Sequence, residues 1–242
     1  MKAIILAAGI GSRLKDVSND LPKPLFSING KSLLHYMLEA ISLSGIREVT
    51  IVTGYRHDLI FNTFGNFFNN LNITYVVNGI YDKSGSMHSL ALALETPSDC
   101  MVFDGDLVFN PHIVRELFNY SEKNTGIVLP CSGNGDEVFT VLDENNIITY
   151  LGKQHPGIPV KYEYAGITKL SGQFTELLIN QYKQSGNLKE QYETGTIRTG
   201  LSIPWHGLAI ESGMWSEIDS KSDIERATQV ITTYWKTSEK LT

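Results

Sequence analysis

Apolar residues along this 242-residue chain fall into two alternating patterns. Short, nearly continuous apolar runs at residues 3–8, 49–53, 73–77 and 100–103 read as buried strands. Between them, apolar positions recur at helical spacing over residues 33–44, around 57–68 and over 86–94. Strands buried on both faces and separated by helices predict an α/β protein with a mostly parallel sheet flanked by helices. Beyond about residue 130 the strands become shorter and more polar, at 138–142 and 147–151, with turn chemistry at 143–146 between them. These predict an antiparallel hairpin added to the parallel core. A loop rich in Gly and Pro follows at 152–159, then helices over 174–183 and 224–233. No internal repeat or linker divides the chain, so residues 1–242 are expected to form one domain.

Composition narrows the partners. A hydrophobic content of 42% is ample for a large core. The net charge of −6 is spread over many separate acidic residues, and no Lys/Arg-rich stripe tracks a nucleic-acid backbone, so a nucleic-acid polymer is not an expected partner. Cys100 and Cys131 each lie in an apolar run and are expected to be buried free thiols, which fits a reducing cytosol. The apolar stretch near the start is too short for a signal peptide, and no run approaches the roughly 18–20 apolar residues of a membrane span. No membrane association and a cytoplasmic location are expected. The apolar residues 61–68 cover either the core or a homodimer interface.

Candidate chemistry begins directly after the first strand, in Leu6-Ala7-Ala8-Gly9-Ile10-Gly11-Ser12-Arg13. Glycines there allow tight turning and close ligand approach, and exposed backbone N–H groups can hold phosphate oxygens. The stretch lacks a third glycine and the G-K-[ST] of a P-loop, so by itself it is either a structural turn or a phosphate site, followed by a short helical turn. Lys23, held between Pro22 and Pro24, has less backbone freedom than an ordinary surface lysine. Phosphoryl and nucleotidyl transfer depend on such fixed cations. Asp104-Gly105-Asp106 ends an apolar strand, where open α/β sheets place ligands, and carboxylates of this kind suit Mg2+.

The combination of residues 2–14 with Leu21-Pro22-Lys23-Pro24-Leu25 resembles the opening of the nucleotidyltransferases that activate sugar phosphates and choline phosphate. That resemblance implies a Rossmann-like sheet whose residues 1–130 bind nucleotide and whose remaining part, including the antiparallel portion, binds the acceptor. It implies that the backbone of Leu6, Ala7, Ala8, Gly9, Gly11 and Ser12 holds a triphosphate, with Arg13 and Lys23 as catalytic cations. Asp106 and Asp219 would hold Mg2+, Asp104 would lie near the nucleotide sugar, and Gly105 would also bind the nucleotide. Read from local pattern alone, Asp219 is equally suited to cap the helix that follows.

A glycine-rich segment that many sugar-phosphate members carry is missing from residues 78–90, whose spacing is similar to choline-phosphate, aminoethylphosphonate and inositol-phosphate cytidylyltransferases. This implies CTP, with Asn78, Ser86 and Ser89 as nucleotide-binding residues, although Ser86 also suits a helix cap. His88 is expected to be a partly exposed helix residue. An aminated acceptor would want aromatic faces and a carboxylate, which points to Glu163, Tyr164, Tyr192 and Glu193, with Trp205 and Trp215 as further candidates and burial in the core as the competing fate of each aromatic. The expected reaction transfers CMP to a small phosphorylated or phosphonate acceptor. A sugar-1-phosphate nucleotidyltransferase using UTP, dTTP or GTP is the alternative, and a non-catalytic nucleotide-binding module is a second.

Overall fold

The computed structural model describes residues 1–11, 21–133 and 135–235. The chain opens with β1 (Lys2–Ala7), and after Lys23–Leu25, a 3-10 turn, a small hairpin of β2 (Ser27–Ile28) and β3 (Lys31–Ser32) leads into α1 (Leu33–Ser42). Ser32 caps α1 by accepting from the His35 N–H at 3.2 Å. Next come β4 (Glu48–Thr53), α2 (His57–Phe64), β5 (Phe67–Phe68), β6 (Leu71–Val77), α3 (Ser86–Ala93) and β7 (Cys100–Asp104). The first part ends with β8 (Leu107–Phe109), α4 (Pro111–Asn119) and β9 (Thr125–Pro130). The second part contains β10 (Phe139–Leu142), β11 (Ile148–Gly152), β12 (Tyr162–Leu170), α5 (Gly172–Ser185), α6 (Tyr192–Gly200), β13 (His206–Ala209), β14 (Trp215–Glu217) and α7 (Lys221–Tyr234).

Ten strands form one mixed sheet in the order β11-β10-β12-β7-β1-β4-β6-β5, with β9 pairing β12 and β13. The strands β7, β1, β4 and β6 are mutually parallel, and β1 sits in the middle with Ile4 facing Thr50 on one side and Val102 on the other. Alternate β1 residues serve two cores: Ala3, Ile5 and Ala7 join the layer of α1, α4 and α7, while Ile4 joins the layer of α3, α5 and α6. Burial on both faces explains why the run reads as continuously apolar. The hairpin of β10 and β11 is antiparallel, as its turn chemistry predicts.

Two spans differ from the periodicity. The helix expected around residues 57–68 stops at Phe64, because Gly65 takes a positive φ of 58° and its N–H bonds the Phe61 carbonyl. Phe67 and Phe68 then pair antiparallel with β6. The nine-residue β12, buried along most of its length, joins the parallel and antiparallel parts by pairing with β7, β9 and β10. Among the described residues, no helix is long and apolar enough to cross a membrane. Cys100 is a buried free thiol, and Cys131 is free and half-buried.

Candidate active site

The carboxyl end of β7 delivers Asp104, and the Asp-Gly-Asp turn sends the chain at once into β8. Strand β8 pairs antiparallel with β14, placing Leu107 opposite Glu217, and the Ile218 N–H bonds the Asp106 carbonyl at 3.1 Å. This two-stranded pairing brings residues more than a hundred positions apart to one point. Asp106, Glu217 and Asp219 each present a carboxylate oxygen within 4.8 Å of the others. Glu217 ends β14, and Asp219 follows two residues later, just before α7.

Lys23 enters this cluster from the 3-10 turn that Pro22 starts. Its Nζ donates to Asp106 Oδ2 at 2.7 Å and to Asp219 Oδ1 at 2.5 Å, and its side chain is only 11% exposed. Burial lowers the basicity of its ammonium, but the attraction of the two carboxylates outweighs burial and raises its pKa. Gly11, with φ +65°, packs against this lysine: a Cβ there would sit 2.8 Å from Lys23 Cβ, so a side chain would push the ammonium away.

One ammonium faces three carboxylates. Burial, reinforced by Asp106 and Asp219, pushes Glu217 up to about 8, and Asp106 Oδ1 is buried with no hydrogen-bond partner among the described residues. An orphaned carboxylate oxygen among hard oxygen donors fits a divalent cation such as Mg2+, whose ligands would be Asp106, Glu217 and Asp219. Asp219 does not cap α7. Ser220 does, in a capping box where Asp223 Oδ2 accepts from the Ser220 N–H at 2.6 Å and the Asp219 N–H at 2.9 Å. Asp223 thereby fixes the backbone that carries Asp219.

Two hollows flank the cluster, each of about 350 Å3. The first is lined by Leu6, Ala8 and Gly9 at the end of β1, by Asn78, Ser86 and Ser89 around the start of α3, and by Asp104, Gly105 and Asp106. Ala7, the alternate residue, points into the core instead. Asn78 is 1% exposed and its amide is fully engaged: Nδ2 donates to Ser84 Oγ and Ser89 Oγ at 3.0 Å each, and Oδ1 accepts from the Ile80 N–H. It shapes the cleft wall. Ser86 is not the α3 cap, a place Gly85 takes; its hydroxyl donates to Gln191 Oε1 at 2.9 Å and accepts from the Tyr192 N–H at 2.9 Å. Burial pushes the Asp104 carboxyl well above the usual range, with Glu193, Asp106 and Glu217 adding to the effect, and the Tyr192 hydroxyl donates to it at 3.4 Å. Ser12 and Arg13, together with the expected helical turn after them, lie outside the described residues.

The second hollow is walled by Ser132, Glu163, Trp215, Glu217, Asp219 and Arg226, and Glu217 thus borders both. Glu163 accepts from Ser132 N–H at 3.1 Å and from its hydroxyl at 3.2 Å. The aromatic faces expected of Tyr164 and Tyr192 are not on offer. Both tyrosines are buried, Tyr164 packs edge-on against Trp205 and Tyr192, and their hydroxyls meet at 3.1 Å beneath Asp104. Trp205 is fully buried as well, its indole N–H donating to Thr168 Oγ1. Glu163 and Glu193, both expected to bind the acceptor, line different hollows: Glu193 lines the first cleft, not the second hollow. His88 is half-buried on α3, 3.1 Å from the Tyr182 hydroxyl. Glu217, Gln191 and Ser132 were not singled out by sequence reasoning; only Glu217 left a signal, its two-residue spacing from Asp219.

Fold and site together define an α/β nucleotidyltransferase. The family model of the MobA-like NTP transferase domain matches residues 3–230, and the chain belongs to that family. It is 29% identical to CTP:phosphoglutamine cytidylyltransferase of Campylobacter jejuni over 253 residues, covering 93% of this chain and 98% of the relative. It is 37% identical to choline-phosphate cytidylyltransferase of Haemophilus influenzae over 127 residues, 52% of this chain and 53% of that one. Among solved structures it shares the fold of CTP:phosphocholine cytidylyltransferase from Streptococcus pneumoniae, with a TM-score of 0.77, 22% identity and coverage of 95% and 98% of the two chains.

Proposed function

We propose that this enzyme is a Mg2+-dependent cytidylyltransferase that moves CMP from CTP to a small phosphorylated or phosphonate acceptor and releases pyrophosphate. The observation that carries the reading is the carboxylate cluster with Lys23 set between two hollows, Glu217 belonging to the walls of both. CTP would occupy the first cleft, its phosphates against the backbone of residues 6–11 and its sugar near Asp104 and Gly105. The acceptor would sit in the second hollow, where Glu163 and the Trp215 indole face an amine- or amide-bearing head group. Cytidylyltransferases among the relatives act, by their names, on phosphoglutamine and choline phosphate, which supports an acceptor of this type.

In this arrangement an acceptor oxygen attacks the α-phosphorus as the bond to the β-phosphate breaks, with attacking and leaving oxygens in line. A phosphate nucleophile is already anionic at neutral pH, so no general base is required. Lys23 holds positive charge beside the reacting phosphate, and Arg13 is proposed as its partner cation. Asp106, Glu217 and Asp219 would hold Mg2+, which would supply positive charge to offset what develops on the phosphate oxygens.

The test crosses CTP, UTP, dTTP and GTP with phosphocholine, 2-aminoethylphosphonate, phosphorylated amino acids and sugar 1-phosphates, reading pyrophosphate release with Mg2+. Release with CTP and one aminated acceptor is the expected result. Release only with a sugar 1-phosphate and another nucleotide would overturn the reading in favour of chemistry like that of the heptose 1-phosphate guanylyltransferase of Aneurinibacillus thermoaerophilus, 35% identical over 45% of this chain.

A further inference from the structure

The first cleft is walled at one end by Asp106 and Glu217 and elsewhere by Ser84, Gly85, Ser86 and Gln191. Gln191 comes from the segment just before α6, far along the chain from the other cleft residues, and that segment is stitched to the start of α3. The Gly85 N–H bonds the Leu188 carbonyl at 2.7 Å, and the Met87 N–H bonds the Glu190 carbonyl at 3.1 Å. A Cβ on Gly85 would overlap the carbonyl oxygens of Glu190 and Lys189, so the approach requires glycine.

The orientation of the Gln191 amide follows from chemistry. One of its atoms faces both the Ser86 N–H at 3.4 Å and the Ser86 hydroxyl at 2.9 Å. A backbone N–H can only donate, so that atom is the oxygen, and the amide nitrogen lies on the other side. Gln191 stands at the N-cap of α6 but makes no capping hydrogen bond with its side chain, leaving an exposed donor on the cleft wall. By contrast, the amide of Asn78 is spent on Ser84, Ser89 and Ile80 and has no donor left for a ligand.

We propose that Gln191 is a nucleotide-specificity residue, donating its side-chain N–H to an acceptor on the base of the bound nucleotide. This rests on the nucleotide reading of the cleft. A donor fixed at pyrimidine N3 discriminates, because cytosine N3 is an acceptor whereas N3 of uracil and thymine carries a proton; a donor at O2 would not. Glu190 is the positioning residue for Gln191. Its carboxylate is buried, ion-paired to Arg198 and within 3.4 Å of the Ser185 hydroxyl, which ties the segment to α5 and α6. Replacing Glu190 would remove the buried carboxylate that joins the half-buried Arg198 to Ser185 and let the segment shift.

Equilibrium binding with Mg2+ and no acceptor tests this, using CTP, UTP, dTTP, GTP and inorganic tripolyphosphate as probes of wild type, Gln191→Leu, Gln191→Glu and Glu190→Gln. The wild-type preference among nucleotides tests the CTP reading independently. The expected result is a ~5- to 10-fold weaker affinity of Gln191→Leu for the preferred nucleotide, as one lost hydrogen bond implies, with its preference over the runner-up reduced to the same extent. Gln191→Glu would lose more, Glu190→Gln less, and tripolyphosphate would bind all four proteins equally. Unchanged discrimination in Gln191→Leu, an equal loss of tripolyphosphate affinity, or no nucleotide binding by the wild type would each overturn the assignment.

Discussion

Asp106 is the residue on which the site converges: one carboxylate oxygen is held by Lys23 at 2.7 Å and the other is buried without a partner among the described residues. Asp106→Asn keeps the volume and the lysine contact but puts an amide NH2, which cannot ligate a cation, in place of the second carboxylate oxygen and removes the charge. It is expected to lower kcat/KM by ~10²- to 10³-fold, with an unchanged circular dichroism spectrum. Retention of full turnover would remove Asp106 from the cluster. Glu163 offers a test by pH. Burial raises its carboxyl above the ordinary 4.5 despite the hydrogen bonds from Ser132. A carboxyl whose pKa is higher folded than unfolded holds its proton more tightly in the native state, so its contribution to stability is present in acid and lost as pH rises through the folded value. Glu163→Gln keeps the bond from the Ser132 N–H and, with the hydroxyl reversed, the second one as well. The variant is predicted to have a higher Tm than wild type at about pH 8 and a difference that vanishes near pH 4. A difference that is constant across pH would contradict the buried-charge account.

At the scale of elements, the site depends on short pieces that local pattern barely marks. The run from β1 through Gly11 to Lys23 was legible because glycines and prolines punctuate it, and Asp104 to Asp106 were legible because they end an apolar strand. Glu217 was not, because its role exists only once the three-residue β14 pairs with β8, a contact between strands too short to show periodicity. Gln191 was hidden for a similar reason: its partner Ser86 is 105 positions away. The aromatics Tyr164 and Tyr192 misled because a tyrosine near a family motif looks the same whether its ring faces ligand or core, and here the rings bury while only the hydroxyls approach Asp104. Gly11→Ala tests the element that presents Lys23. Added to a positive φ, its Cβ contact with Lys23 is expected to weaken turnover by more than tenfold, with a loss of stability of about 1 kcal/mol in urea unfolding. Unimpaired turnover would show that the lysine is held some other way.

Across the whole molecule, the mixed sheet separates two cores, and about half of the second comes from residues after β9, including Tyr164, Phe174, Leu178, Tyr192 and Trp205. That core sets the position of α6 and therefore of one wall of the first cleft. Trp205→Ala removes its largest fully buried side chain and is expected to cost ~3–5 kcal/mol in urea unfolding, whereas Phe67→Ala, at a side chain 73% exposed, should change stability by less than about 0.5 kcal/mol. Equal effects would refute the layered description. The α/β class and the order of early elements were legible because strands buried on both faces are continuous apolar runs. The long β12 was less so, since it spans the junction between parallel and antiparallel pairing and its neighbours come from three distant segments.

In the proposed mechanism, nucleotidyl transfer depends on a divalent cation held jointly by Asp106, Glu217 and Asp219. The most direct test of this dependence is pyrophosphate release from CTP and an accepted acceptor, titrated with Mg2+ in the wild type and in Glu217→Gln. The expected result is saturable dependence on Mg2+ in the wild type and a half-saturating concentration raised by ~10-fold in the variant, because one of three carboxylate ligands becomes an amide. Release independent of Mg2+, or superimposable titrations of the two proteins, would contradict it.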